Sequence, residues 1–190
     1  MFMLQLQQEQ GTSGSTNLGS DLFPLLFSHI VTEVISEMKN ADGVIVVISI
    51  GVLVGSFLLN TSRYLPAIEL CEECLFILKD RTAIIDKKFT KSFYKRIYFT
   101  MWKACSLISD NTNAIKYAEK LLQIYHENGE RLEKCELSLK LAVMYFHQGK
   151  YPEAIQLSEK ALLISRETGN RKREASCHLP CSRVSISWRI

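Results

Sequence analysis

Two close pairs of cysteines are the residues with the clearest potential for metal chemistry. Two residues separate Cys71 from Cys74, and three separate Cys177 from Cys181; such pairs can combine into a four-cysteine zinc site. The first pair, however, lies in an apolar segment with helical periodicity, where cysteine commonly packs as a small hydrophobic residue. We therefore predict free thiols in a packed helix, with no bound metal and no other cofactor.

Other residue patterns do not predict catalysis. The four histidines are scattered without ligand-like or triad-like spacing, and Glu119 and Glu159 have the spacing of solvated helix faces. No glycine-rich phosphate loop is present. Basic and aromatic residues alternate over residues 94–99, but this spacing is more typical of a helix with one packed face and one snorkelling face. We expect no enzymatic activity and no nucleic-acid partner.

The composition is that of an ordinary globular domain. The 190 residues are 47% hydrophobic and 23% charged, which suits a single domain with a real core. The net charge of +3 is too small to favour a nucleic acid or an anionic surface. Because the first residues lack the basic leader and apolar core of a secretory signal, we expect a cytoplasmic protein with reduced thiols.

An internal repeat is the most informative feature of the chain. When the sequence is shifted by 40 residues, nine of the 22 positions from 114 to 135 are identical, including Ala114 with Ala154 and Gly129 with Gly169. Ordinary residue frequencies would give roughly one or two identities. The two segments therefore arose by duplication.

A third copy lies upstream and matches at a shift of 87 residues. Seven positions agree, among them Tyr64 with Tyr151 and Ala67 with Ala154. The seven extra residues fall in the connection KDRTAIIDKKF, which we predict to be a surface loop.

Each copy has the pattern of two helices joined by a short turn. In the last copy, apolar residues at helical spacing precede the turn at 147–150, and a second helix begins near Pro152 and stops near Gly169. We expect an all-α fold without strands. In chain order, the predicted organisation is a disordered leader (1–20), an N-terminal helix (21–40), three helix pairs (43–79, 88–128 and 131–169) and a truncated helix with an irregular tail (171–190).

This pattern resembles the tetratricopeptide repeat, in the variant with a period near 40 residues that G-protein signalling modulators and long repeat arrays carry. The resemblance covers roughly residues 43–178. All three copies have a small residue where the second helix crosses the first, because a larger side chain would push the packed helices apart. The positions that carry the resemblance are Gly55, Tyr64, Ala67, Ala114, Leu141, Ala142, Tyr145, Gly149, Tyr151, Ala154 and Ala161.

The resemblance implies an α-solenoid, a right-handed superhelix whose first helices line a concave face that binds a peptide segment of a partner protein. Six residues are expected to point into that groove: Arg96, Phe99, Lys103, Leu139, Val143 and Phe146. This mixture of cations and apolar groups suits a peptide with an apolar anchor flanked by acidic residues.

Two alternatives concern the ends of the array. Residues 43–62 contain no charge and are long enough to span a membrane, which would make the protein a membrane-anchored adaptor. The competing interpretation is that they form the buried first helix of the first repeat. At the other end, the helix that begins near Arg171 is interrupted at Pro180, so the last repeat would lack a capping helix. The array would then be a truncated form of a longer one, or it would associate with a second copy.

Overall fold

The computed structural model describes residues 41–169, and this part of the chain consists of six α-helices joined by short connections. In chain order these are α1 (Ala41–Asn60), α2 (Tyr64–Asp80), α3 (Lys87–Leu107), α4 (Asn111–Glu127), α5 (Arg131–His147) and α6 (Tyr151–Glu167). No strand occurs between residues 41 and 169, which confirms the predicted all-α class. The predicted leader at 1–20, helix at 21–40 and tail at 171–190 lie outside the described residues.

Local sequence signals set where the helices begin and end. Asp86 caps α3 because its carboxylate accepts a hydrogen bond of 2.6 Å from the backbone N–H of Lys88. Asp110 does the same for α4, where the N–H of Asn113 donates at 3.1 Å. Between α5 and α6, Gly149 adopts φ +74°, a left-handed conformation that costs glycine little. The chain can therefore reverse there within a few residues.

The seven inserted residues between α2 and α3 form more than a surface loop. The helix α3 begins at Lys87 and has 21 residues, four more than α5. The cap at Asp86 lies inside the inserted segment, so part of the insertion becomes an extra turn of α3.

The helices pack in antiparallel pairs, α1 with α2, α3 with α4 and α5 with α6, and each pair also contacts the next. The crossing alanines Ala67, Ala114 and Ala154 are fully buried. Because an alanine side chain is a single methyl group, the paired backbones can approach closely at these points. The predicted solenoid of helix pairs is confirmed.

The first helix is apolar on nearly all sides. Of the helices between residues 41 and 169, α1 is the one whose length and composition would let it cross a membrane, with a mean hydropathy of 2.4. In this structure 44% of its most apolar stretch is buried inside the protein, and the core helix of a soluble protein has the same length and composition. Its buried side, which includes Val44, Ile48 and Val52, packs on α2 and α3.

Candidate protein-binding face

Three of the predicted binding residues lie on one side of α3. Arg96 and Lys103 are exposed, and 40% of Phe99 between them is accessible. Neither cation forms an ion pair with any residue from 41 to 169. The side of α3 that carries these residues therefore presents an aromatic ring between two positive charges that have no partner in the described part of the chain.

The three predicted residues of α5 have different surroundings. Val143 is exposed, with 41% of its surface accessible. Leu139 is half-buried against the small core cluster that α5 forms with α6. Phe146 is also half-buried, and its ring centre lies 5.4 Å from that of Tyr151. The structure thus leaves Val143 available to a partner, whereas Leu139 and Phe146 mainly hold α5 against α6.

A pocket of about 120 Å³ lies between α3, α4 and α5, and Phe99 forms part of its wall. None of the other lining residues was among the predicted binding residues. They include Trp102 of α3, Tyr125 of α4, and Glu133, Glu136, Leu137 and Lys140 of α5. The pocket therefore extends from the exposed ring of Phe99 to the first helix of the next pair, α5.

The pocket exists because α5 has charged side chains at positions where α3 has uncharged, buried ones. Thr100 of α3 is buried, and its methyl group would lie 3.9 Å from a Cβ built on Gly55, so α1 and α3 approach closely. The residue 40 positions later is Lys140, which is exposed, and Phe93 is likewise replaced by the exposed Glu133. Because these charged groups stay in water, no Cα atom of α5 lies within 8 Å of a Cα atom of α3.

The charged end of Lys140 lies against the aromatic wall. Its ammonium is 5.2 Å from the ring centre of Trp102, within the range of a cation–π interaction, and 3.1 Å from the Oε1 atom of Glu136. The indole N–H of Trp102 is buried and has no hydrogen-bond acceptor among residues 41–169. Lys140 thus covers the outer face of the ring while its own charge is largely compensated.

Carboxylates surround the hydroxyl group of Tyr125. Burial, together with the negative charges of Glu130, Glu133 and Glu136, raises the pKa of Tyr125 to about 12. The carboxylate of Glu130 accepts hydrogen bonds of 3.0 and 3.2 Å from the ammonium of Lys95, which ties it to α3. Because Glu130 and Glu136 are paired with Lys95 and Lys140, Glu133 is the carboxylate on this side of the pocket that contrasts most in charge with Arg96 and Lys103 of α3.

The positions that carry the repeat resemblance are mostly internal. The alanines among them are fully buried, as is Gly55, while Leu141 and Tyr145 are buried and Tyr64 and Tyr151 are half-buried. A Cβ on Gly55 would lie 3.1 Å from the Sγ atom of Cys71, closer than an ordinary contact. The buried members hold the helices together and are not available to a partner, whereas Gly149 is exposed in the turn between α5 and α6.

The cysteines of α2 are packed in the core. Cys71 and Cys74 are both fully buried, and burial is the main cause that raises the pKa of the Cys74 thiol to about 12 and that of Cys71 further above its ordinary range. Thiols with pKa values this far above neutrality stay protonated at neutral pH. Cys177 and Cys181 lie outside the described residues.

Sequence reasoning missed Trp102 and Tyr125 because both occupy apolar positions of the repeat pattern. The signal that could have located the pocket is the change from Thr100 to Lys140 at equivalent positions of successive first helices. A charged residue at a helix–helix contact position indicates that the two helices are held apart.

The comparison with known families agrees with this architecture. Residues 139–168 match the tetratricopeptide repeat family. The matched segment runs from the second half of α5 through the turn at Gly149 and along the whole of α6. No curated protein matches the chain. The family match and the array of helix pairs confirm the resemblance to the tetratricopeptide repeat, whereas the variant with a period near 40 residues stays a prediction.

Proposed function

Because the chain contains a tetratricopeptide repeat, a unit typical of non-catalytic interaction proteins, we propose that it is a scaffold that binds a peptide segment of another protein along the face formed by α3 and α5. We further propose that it acts in the cytoplasm. The observation that carries the proposal is the exposed ring of Phe99, which borders a pocket and stands between two cations without ion-pair partners in the described chain.

The side chains of α3 and α5 on either side of the pocket predict which residue types the bound peptide carries. An apolar side chain of the partner enters the pocket beside Phe99, where it meets aromatic and aliphatic walls. Acidic residues next to this anchor pair with Arg96 and Lys103. The carboxylate of Glu133 repels acidic residues on the other side, so the charge of the peptide has a preferred direction along the groove.

Selection from a peptide library tests this proposal. Random 15-residue peptides displayed on phage are panned against the full chain, and the enriched peptides are synthesised and titrated by fluorescence anisotropy. We expect enriched peptides that carry an apolar residue beside acidic ones. The double variant Arg96→Glu/Lys103→Glu should weaken their binding about tenfold or more, which corresponds to about 1.4 kcal/mol.

The matched control is Lys79→Glu/Lys160→Glu, which changes the net charge equally but at exposed positions of α2 and α6. This variant should bind the selected peptides like the unaltered chain, because its substitutions lie on second helices. If both double variants lose the same affinity, the cause is the change in net charge and not the proposed face. If neither loses affinity, the proposed face is wrong.

A second candidate function is a membrane-anchored adaptor in which α1 spans a bilayer. Its support is the length and apolarity of α1. Extraction of cell membranes at alkaline pH separates the two candidates, since a peripheral or soluble protein is released and a spanning one is retained.

A further inference from the structure

An uncovered apolar stripe runs along α1 on the side away from α2 and α3. It consists of four large residues at spacings of four, three and four positions, so that they share one face of the helix. They are Val46, Ile50, Leu53 and Phe57, whose accessible fractions are 53, 48, 58 and 64%. A contiguous apolar surface of this kind marks a site of contact with another surface.

The equivalent stripe of the next first helix is covered. Residues 47 positions later in the chain lie on α3 at the same register of the repeat, and all four are buried: Phe93, Ile97, Thr100 and Ala104. They are buried because the preceding pair, α1 and α2, packs against α3. The stripe on α1 is therefore the place where the array would accept a preceding helix pair, as α3 accepts α1 and α2.

We propose that residues 23–39 of this chain occupy that place, as a helix packed along the stripe of α1. The sequence FPLLFSHIVTEVISEMK stands directly before α1 and has 17 residues, the length of each of the second helices α2, α4 and α6.

The residue pattern of this segment matches the stripe that it would cover. In a helix, five large apolar residues would share one face, at spacings of four, three, four and four positions: Phe23, Phe27, Ile30, Val34 and Met38. The opposite face would carry polar residues such as His29, Thr32 and Ser36. Two apolar ridges of equal spacing can pack together as in other helix pairs, and the polar face remains in water.

A photocrosslinking experiment on the full chain tests the proposal. The residue p-benzoylphenylalanine replaces Leu53, and a mixture of ¹⁴N- and ¹⁵N-labelled protein is irradiated with liposomes of neutral lipid present. Mass spectrometry should find crosslinks from position 53 to residues 23–39 within chains of a single isotope. The same crosslinker at Leu163, an equally exposed residue of α6, should give no crosslink to this segment.

Each other outcome overturns the proposal. Crosslinked pairs of mixed isotope composition would show that a second copy covers the stripe, and crosslinks to lipid would show that a bilayer does. Absence of any product with residues 23–39 would exclude the segment.

Two double variants test which face of residues 23–39 packs against α1. Ile30→Asp/Val34→Asp should lower the yield of the intramolecular crosslink by about an order of magnitude, because it places carboxylates in an apolar contact. Thr32→Asp/Ser36→Asp adds the same charge on the opposite face and should leave the yield unchanged. Circular dichroism checks that the helix pairs remain folded in both variants, and equal effects of the two would contradict the proposed face.

Discussion

At the scale of single residues, the crossing alanines set how closely the paired helices approach. Ala114 has no accessible surface and lies where α4 crosses α3. We expect Ala114→Leu to lower the free energy of unfolding by about 1–3 kcal/mol, because the added carbons overfill a packed site. Urea denaturation followed by circular dichroism measures the change.

The control is the same substitution at an exposed alanine. Ala83 lies in the connection between α2 and α3, outside the helix crossings. Ala83→Leu should change the free energy of unfolding by less than about 0.5 kcal/mol. Comparable losses at the two positions would mean that close packing is not what requires Ala114.

The buried thiols of α2 make stability depend on pH above neutrality. In the unfolded chain a cysteine loses its proton near pH 8.5, whereas burial raises the pKa of Cys74 to about 12 and that of Cys71 still higher. The folded state therefore binds more protons, and its free energy of unfolding falls as pH rises above about 8.5. Each thiol contributes a slope of about 1.4 kcal/mol per pH unit.

Urea titrations between pH 7 and pH 10 measure this dependence. In Cys74→Ala the free energy of unfolding should decline less steeply above pH 9, because one titrating thiol is absent. Its free energy of unfolding at pH 7 should also be lower, because a buried atom is lost. If the slope is the same in the variant and the unaltered chain, the thiol of Cys74 is not protected from deprotonation by the fold.

At the scale of elements, side chains join second helices whose backbones do not meet. The hydroxyl of Tyr117 in α4 donates a hydrogen bond of 3.1 Å to the carboxylate of Glu72 in α2. Burial and the nearby charge of Glu72 raise the pKa of Tyr117 well above its ordinary value, in agreement with a protonated donor. This bond links the first helix pair to the second.

Removal of that bond should weaken the contact between the pairs. We expect Tyr117→Phe to lower the free energy of unfolding by about 1 kcal/mol. This is the usual contribution of one hydrogen bond whose acceptor is partly exposed to solvent. A double-mutant cycle with Glu72→Gln measures the coupling, and Tyr94→Phe is the matched control because the Tyr94 hydroxyl has no hydrogen bond to residues 41–169. A coupling near zero would show that the bond adds nothing to the contact.

The helix pairs were predictable because their signals are local or repeated. Glycine at the turn, proline in the first turn of α6 and alanine at each crossing act through backbone geometry and close packing, which sequence spacing reveals. The extra turn of α3 could not be read from the repeat, because its cap, Asp86, lies in the insertion, where no second copy exists for comparison.

The pocket could not be predicted in the same way. It depends on whether two neighbouring first helices touch or stay apart, and that is decided by the size and charge of residues at a contact between pairs. Thr100 and Lys140 occupy equivalent positions, yet one is buried beside Gly55 and the other covers the ring of Trp102. The repeat pattern gives the register of both residues but not the separation of the helices.

At the scale of the whole molecule, the described array has one large core and one small one. The large core runs from α1 to the first turn of α6, whereas Cys135, Ala161 and Ile164 form a separate cluster between α5 and α6. The pocket lies between the second and third pairs, where α3 and α5 do not approach. In a linear array each pair is stabilised mainly by its neighbours, so the pair α5–α6 is held to the rest less firmly than α1–α2 is held to α3–α4.

We expect α5 and α6 to open together before the other described helices. Leu137 is buried at the pocket and joins α5 to the main core, so Leu137→Ala should cost about 2–4 kcal/mol at this junction. Native-state hydrogen exchange should then be faster in peptides from α5 and α6 by about 30-fold or more, and nearly unchanged in α2 and α4. Val143→Ala, at an exposed position of α5, should have little effect. Equal acceleration in all helices would instead mean that the array unfolds as one cooperative unit, with the pocket no weaker than any other junction.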